Sequence, residues 1–297
     1  MLDIDIKKKL KEQNFILNKD IFCSQNENEY TQNFGKQWKD FSKTQIDEFN
    51  NFSISKELLD GLVFNEYNNL RDKVILEVGC GSGRFTQYLS KIAKLLVTND
   101  MSDAIFFNQY LSQPNVIGIK SDFNKIKKLN IKFDIIICRG VLQHTPNPYN
   151  SILSLYELCD INGSIYFDIY KKPKLKLISP KYLWRKILKN QSYENVHSFL
   201  EKYIDKFLYF RRKLNSILKV NLNYFWDYFF PIYDYKYQLP LNDKQLREWA
   251  ILDTLDGLVT KYDIPLSKKE IQKFLEKKNI EINRFNGKYH SFKIIKK

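Results

Sequence analysis

The chain has 297 residues, 43% hydrophobic and 15% aromatic, which is ample for a packed core and excludes wholesale disorder. No apolar run is long enough to span a bilayer, the N-terminal residues carry charges where a secretory leader would need an apolar stretch, and Cys23, Cys80, Cys138 and Cys159 have neither zinc nor disulfide-framework spacing, so a cytoplasmic protein without a metal is expected. The net charge of +14 is lopsided, with 20 basic and 21 acidic residues over 1–170 but 28 and 13 over 171–297, so an anionic partner is expected for the C-terminal half.

Residues 1–69 read as an N-terminal helical extension, with a helix over about Lys56–Asn68. From Leu70 short apolar runs alternate with amphipathic stretches. Val74–Val78 is an apolar run broken only by Glu77. Gly79–Gly83 is a turn, and Arg84–Lys94 reads as a helix with Phe85, Leu89 and Ile92 at helical spacing. Leu95–Thr98 is a second strand ending at Asn99-Asp100, after which Ser102 is placed to cap a helix reaching Leu111. Val116–Ile119, ending at Ser121-Asp122, and Phe133–Cys138 are further strands. Helix Ser151–Leu158, an Asn162-Gly163 turn and strand Ser164–Tyr170 complete the run. Such alternation implies an α/β domain, a parallel sheet with helices on both faces, over about 70–170.

Residues 171–265 leave this rhythm as a basic, aromatic, mostly helical insertion. Ser179-Pro180 opens one helix, Tyr193–Lys219 holds one long helix or two shorter ones, and Asn242 begins a stretch reaching Val259. Within 171–190 eight residues are basic and none is acidic. There Leu183, Trp184, Ile187 and Leu188 share one helix face, which suits a soluble lid or an anionic membrane surface. The Tyr224–Tyr237 stretch would wall a hydrophobic pocket or fill a small lid core. Residues 266–297 return to the sheet domain, with a capping box at Ser267-Lys268-Lys269-Glu270 and a hairpin, Ile280–Phe285 and Tyr289–Ile295, joined by Asn286-Gly287.

The turn Glu77-Val78-Gly79-Cys80-Gly81-Ser82-Gly83 lies between a strand and a helix, where missing Cβ atoms let a ligand approach the backbone. The third glycine comes one residue too early for a nicotinamide-dinucleotide fingerprint, and the Gly-Lys-Ser/Thr of a phosphate loop is absent. A plain tight turn would use the same three glycines. Asp100, 21 residues after Gly79, closes the second strand, where an acceptor-only carboxylate suits two ribose hydroxyls. Asp122 closes the third strand, within reach of an adenine amino group.

Val-Ile-Leu-Glu-Val-Gly-Cys-Gly-Ser-Gly, Asn99-Asp100-Met101-Ser102, Ser121-Asp122-Phe123 and Phe133-Asp134…Gly140-Val141-Leu142-Gln143-His144-Thr145-Pro146 resemble the class I S-adenosylmethionine (SAM)-dependent methyltransferases, closest to the small-molecule, quinone-biosynthesis-like branch. The resemblance covers about 70–170 and implies a Rossmann-like sheet, with the terminal hairpin supplying its antiparallel final strand. It implies SAM as cofactor. Gly79, Cys80, Gly81 and Gly83 would hold its methionine end and ribose, Asp100 with Met101 the ribose hydroxyls, and Asp122 with Phe123 the adenine. Glu77 would orient its polar end, and Arg139 would lie against it. Asn99 departs from the apolar residue or glycine usual before the acidic position.

The segment from Cys138 to His144 should face the transferred methyl group. It lacks both the Asn-Pro-Pro-Tyr type of sequence and the Pro-Cys nucleophile of nucleobase methylation, which makes nucleic acid the weaker partner class. His144 is a candidate general base or a packed loop residue; His197 and His290 have no supporting context. Gln32–Trp38 resembles a segment preceding this domain in bacterial members, so Phe34 and Trp38 would close over the site or form a hydrophobic staple. Gln143, Asp256 and Tyr262 are candidate acceptor contacts. The leading expectation is an O-methyltransferase for a small anionic, sugar-linked or lipid-linked acceptor, at times peripheral to the inner membrane face. The alternatives are an RNA methyltransferase and a non-catalytic SAM-binding, membrane-associated scaffold.

Overall fold

A computed structural model describes residues 2–25, 29–175, 179–218, 223–236 and 238–297. Lys219, Tyr237 and the side chain of Tyr224, which the sequence reading touched, lie outside the described residues. The chain divides into two compact units, Met1–Lys172 with Tyr262–Lys297, and Pro173–Lys261.

In the first unit the strands are β1 (Ile16–Asn18), β2 (Ile21–Cys23), β3 (Val74–Val78), β4 (Leu95–Asp100), β5 (Val116–Lys120), β6 (Phe133–Cys138), β7 (Cys159–Asp168), β8 (Arg284–Asn286) and β9 (Ser291–Ile295). They form one sheet in the order β1-β2-β5-β4-β3-β6-β7-β9-β8. From β2 to β7 each neighbouring pair is parallel, while β9 runs antiparallel to β7. The chain steps from β3 outward to β5 and then back across β3 to β6. That reversal opens a crevice at the carboxyl ends of β3, β4 and β6, where open α/β sheets bind ligands. This is the Rossmann-like fold of class I methyltransferases, with the reversed final strand.

Strand period two sorts the core. Ile75 pairs with Leu96 and Ile135 on one face, and Leu76 pairs with Val97 and Ile136 on the other. The helices of this unit are α1 (Leu2–Glu12), α2 (Gln32–Asp40), α3 (Asp47–Asn50), α4 (Ile54–Leu62), α5 (Thr86–Leu89), α6 (Phe123–Ile126) and α7 (Pro148–Leu158), and after the second unit Lys268–Glu276. Leu10 of α1, Ile152 and Leu155 of α7, and Ile271 of the last helix cover one face; Leu59 and Leu62 of α4 and Leu89 of α5 cover the other. Each buried Leu or Ile contributes about 1.5–3 kcal/mol, so tertiary packing holds helices too short to persist alone. Burial on both faces is why β3, β4 and β6 read as nearly continuous apolar runs.

Several elements differ from their expected form. The helix expected over Arg84–Lys94 is only Thr86–Leu89. Main-chain bonds from Asp72 to Ile92, and from Lys94 to Lys73 at 3.0 Å, turn the chain into β4 instead. Ser102 does cap, accepting from Ala104 N–H at 3.2 Å, but the helix breaks into two 3₁₀ turns. Asn108 is the breaking point, capping the second turn by accepting from Tyr110 N–H at 3.1 Å. The extension is not purely helical: β1 and β2 join through Lys19-Asp20, both at positive φ (47° and 63°), and β2 pairs with β5. The helix expected over 56–68 runs Ile54–Leu62 and ends where Phe64 and Asn65 take positive φ.

The second unit holds α8 (Pro180–Leu188), α9 (Tyr193–Leu218), α10 (Asn223–Phe229) and α11 (Asp243–Val259), which makes Lys268–Glu276 α12. The long stretch is thus one helix among the described residues, burying Val196, Leu200, Ile204 and Leu208 along one stripe. Capping boxes start α11 (Asn242 with Gln245) and α12 (Ser267 with Glu270), each contributing about 1 kcal/mol. Buried Arg185 ties α8 to the end of α11, donating to the Gly257 and Thr260 carbonyls at 3.0 and 2.7 Å.

Candidate active site

Glu77 is the one carboxylate in β3, and the register explains its setting. It lies opposite Thr98 of β4, whose hydroxyl donates to Oε2 at 3.0 Å, and Thr86 of α5 donates to the same oxygen at 2.6 Å. Oε1 has no hydrogen-bond partner among the described residues, although Glu77 is only 1% exposed. Burial pushes its carboxyl up to about 7, against the two threonine bonds. A buried, half-satisfied carboxylate is costly to maintain without a cationic partner.

Beyond β3 the chain enters the glycine turn. Gly79 and Cys80 N–H both donate to the Asn99 carbonyl, at 2.7 and 3.0 Å. Gly79 has φ 73°, and a Cβ there would strike the Val141 side chain, so the turn and the 140–146 segment touch at this point. At Gly81 a Cβ would lie 3.2 Å from the Trp38 ring. Ser82 Oγ is buried without a partner among the described residues. Because α5 is a four-residue helix that starts at Thr86, beyond Arg84 and Phe85, a cradle here would draw on main-chain amides and carboxylates rather than on a helix end.

Asp100 is tied into this frame. Its Oδ2 accepts from Gly81 N–H at 2.9 Å, and its Oδ1 from Ser102 N–H and Oγ–H at 2.8 and 2.7 Å. Burial raises its carboxyl above the usual range in spite of these bonds. Carboxylate oxygens have two lone pairs each, so Oδ1 is filled and Oδ2 keeps room for one hydroxyl donor. Met101 follows it, half-buried. Asn99 is buried and donates to the Ile119 and Ser121 carbonyls at 3.0 and 2.8 Å, clamping the ends of β4 and β5 together. An amide thus does here what an apolar residue does by packing. Asp122 Oδ1 accepts from Asn124 N–H and Nδ2–H, both at 2.8 Å, so one of its oxygens caps α6. The Phe123 ring is 6% exposed and lies in the core cluster, which leaves its main chain rather than its ring for an adenine. Burial lifts the Cys80 and Cys138 thiols well above their usual range, so neither is a thiolate nucleophile.

At the end of β6, Arg139 pairs with Asp168 at 2.8 Å, and Gly140 N–H donates to the same carboxylate at 2.6 Å. The next residues form a 3₁₀ turn, Leu142–His144. Gln143 is fully buried, and neither polar atom of its amide has a partner among the described residues. His144 is 5% exposed, with Nδ1 3.0 Å from the Tyr262 carbonyl. A carbonyl only accepts, so Nδ1 carries the proton, and Nε2 is the basic nitrogen of the neutral ring. Phe34 and Tyr170 meet the imidazole edge-on, at centroid distances of 5.2 and 5.5 Å, and Tyr30 meets Tyr262 at 5.3 Å. Phe34 and Trp38 lie four residues apart on α2 and so share a face. One helix therefore touches both the glycine turn and the His144 cluster.

A family profile described as "Methyltransferase domain" matches residues 51–219, more than half of the chain. The chain belongs to the methyltransferase family. Among curated proteins it is 27% identical over 151 residues to the tRNA U34 carboxymethyltransferase of Campylobacter fetus, covering 46% of this chain and 54% of that one. It is 28% identical over 150 residues to the ubiquinone biosynthesis O-methyltransferase of Glaesserella parasuis, covering 46% and 61%. The chain thus spans little more than half the length of these relatives. The solved structure of magnesium protoporphyrin IX methyltransferase from Synechocystis PCC 6803 aligns over 82% of this chain and 83% of its own, with 14% identity and a TM-score of 0.43.

This methyltransferase family draws on SAM, and the donor set fits it. The unpartnered Glu77 oxygen suits an ammonium, Asp100 suits a diol, and Ser82 with the turn amides suits the remaining polar atoms. Phe34, His144 and Tyr262 come together in the first unit, Trp38 lies near Gly81 and Gln143 is buried in the same turn as His144, whereas Asp256 lies on α11 in the second. Sequence reasoning passed over Thr98 and Asp168. Both were findable, Thr98 as the register partner of Glu77 and Asp168 as a third acidic residue closing a parallel strand. Among the described residues no group of three or more His, Cys, Asp or Glu could hold a metal ion.

Proposed function

We propose that this methyltransferase transfers the SAM methyl group to a hydroxyl oxygen of a small anionic, sugar-linked or lipid-linked acceptor. His144 carries the reading: a buried imidazole with Nδ1 3.0 Å from the Tyr262 carbonyl stands in the segment that abuts the glycine turn. Bound in the turn, SAM supplies an electrophilic methyl on a sulfonium and leaves as the neutral thioether. Glu77, Ser82 and Asp100 hold it. Gln143 offers an amide NH2 that donates and a carbonyl oxygen that accepts, which matches a hydroxyl or carbonyl group of an acceptor. Phe34 and Trp38 cover the site and exclude water, and His144 receives the hydroxyl proton as the new bond forms. Alignment supplies most of the rate in such a displacement, and the base adds to it.

The test is radiolabelled methyl transfer into a fractionated lysate by the intact protein and by His144→Asn. Base-stable label in a small-molecule fraction is expected, with kcat falling about 10²-fold or more in the variant and S-adenosylhomocysteine affinity within about twofold. Label confined to RNA, or an unchanged kcat in the variant, would overturn the reading. The relative named for tRNA U34 and the basic C-terminal half favour RNA as the second reading. It requires tRNA retention that weakens steeply with salt. Contact with an anionic membrane surface belongs to the same proposal. No helix among the described residues is long and apolar enough to cross a membrane.

A further inference from the structure

Beside its buried stripe, α9 carries a second apolar row at 4-4-3 spacing, Phe199, Tyr203, Phe207 and Phe210. The three phenylalanines are 39%, 40% and 57% exposed. The row continues onto α10, where Phe210 meets Trp226 edge-on at 5.9 Å and Trp226 meets Phe225 and Phe229 at 5.5 and 5.7 Å. Phe225 and Phe229 are 51% and 62% exposed. Soluble surfaces show single apolar side chains, whereas a connected aromatic face marks a binding surface. The face is also firmly built. Arg211 pairs with Asp227 at 3.0 Å and donates to the Ile232 carbonyl at 3.0 Å, and the Trp226 indole N–H donates to Asn215 at 3.2 Å.

The charges beside this row identify its partner. Lys202, Lys206 and Lys213 run along the other flank of α9; Lys202 and Lys206 lie over the Tyr203 ring at 5.1 and 6.0 Å, and Lys213 lies over Tyr209 at 5.6 Å. On α8 the exposed Lys186 and Lys189 flank Ile187, itself 62% exposed. Residues 173–261 hold 16 basic and 9 acidic residues in all. A twofold contact through this face would bring lysine rows of two copies together, whereas an anionic interface accepts both aromatic rings and ammonium groups. We infer that the α9–α10 face of the second unit docks onto an anionic lipid bilayer, with Phe210, Phe225 and Phe229 entering the headgroup boundary and Lys202, Lys206 and Lys213 meeting lipid phosphates. This gives the membrane contact proposed above a defined surface and does not depend on turnover.

The experiment is flotation of the full chain with vesicles of phosphatidylcholine alone or with 30% phosphatidylglycerol. The wild type should float with the anionic vesicles only, and about tenfold less in Phe225→Ser/Phe229→Ser or in Lys202→Glu/Lys206→Glu. Circular dichroism and S-adenosylhomocysteine binding in the first unit report that each variant is folded. Absence of wild-type flotation, or equal flotation of either folded variant, would overturn the inference. So would a dimer in ultracentrifugation that the phenylalanine variant dissolves while vesicle binding persists. Methyl transfer to a soluble acceptor is scored separately, so failure here and failure of the enzymatic reading remain distinct.

Discussion

Replacing Glu77 by Gln tests the cofactor cradle most directly, because the structure sets both the sign and the size of the effect. Burial raises this carboxyl from 4.5 to about 7, which is about 3 kcal/mol of differential interaction between its two protonation states. The sign follows from the raised value. In the ligand-free protein this contribution to stability is complete below about pH 4.5 and is lost as pH rises through 7. A ligand whose ammonium takes Glu77 Oε1 needs the carboxylate, so below pH 7 binding must first expel a proton. S-adenosylhomocysteine affinity should therefore fall about 25-fold between pH 7.5 and 5.5. In Glu77→Gln the slope should vanish, and affinity at pH 8 should drop about tenfold or more from the lost charge-assisted bond. Calorimetric titration at four pH values, with thermal melts of the ligand-free proteins alongside, provides both readouts. A flat wild-type profile, or an equal slope in the variant, refutes the placement of the ammonium at Glu77.

Three further outcomes follow from the same geometry. Asp100→Ala should weaken S-adenosylhomocysteine binding at least about tenfold by calorimetry, since the diol loses its carboxylate acceptor and Gly81 N–H its partner; unchanged affinity would remove Asp100 from the site. Trp38 is the only tryptophan in the first unit, the others being Trp184, Trp226 and Trp249, so ligand titration should change tryptophan emission in the wild type and not in Trp38→Ala. Gly79→Ala places a Cβ at φ 73° against Val141 and should cost about 2–4 kcal/mol in denaturant melts, part of it recovered by adding Val141→Ala.

The sheet was legible in the sequence because strands buried on both faces announce themselves as apolar runs. Val74–Val78 and Phe133–Cys138 are found with their expected bounds, Asn242 starts its helix, and the capping box at Ser267 starts the last one. Local signals misled where tertiary bonds outbid them. Helical spacing through Ile92 is real, yet the main-chain bonds that return the chain to β4 stop α5 at Leu89. The short β1–β2 hairpin has too few residues to show alternation, and only its pairing with β5 makes it a strand pair. Among the candidate site residues, Glu77, Asp100 and the glycines stood out because chemistry and position coincide. Phe123 shows the limit, since an aromatic beside a binding position is as readily core.

The basic second half of the sequence pointed towards a single anionic partner, and the structure divides that charge between separate environments. In the first unit Arg284 and Lys293 both meet Glu66 at 2.5 Å, Lys172 meets Glu270 at 2.5 Å, and Lys297 meets Glu281 at 2.8 Å. These pairs partly neutralise the last helix and hairpin. In the second unit the lysines of α8 and α9 stand instead beside an exposed aromatic row. Net charge is therefore a poor guide to the acceptor. The groups proposed to meet an acceptor, Gln143, His144 and the aromatic rings of Phe34 and Tyr170, include no lysine or arginine. An anionic acceptor group would then have to be met by residues outside this cluster. If the acceptor is itself lipid-linked, docking on the bilayer would bring the enzyme to its substrate. Methyl transfer that accelerates on anionic vesicles carrying the acceptor, but not on neutral ones, separates that arrangement from two independent activities.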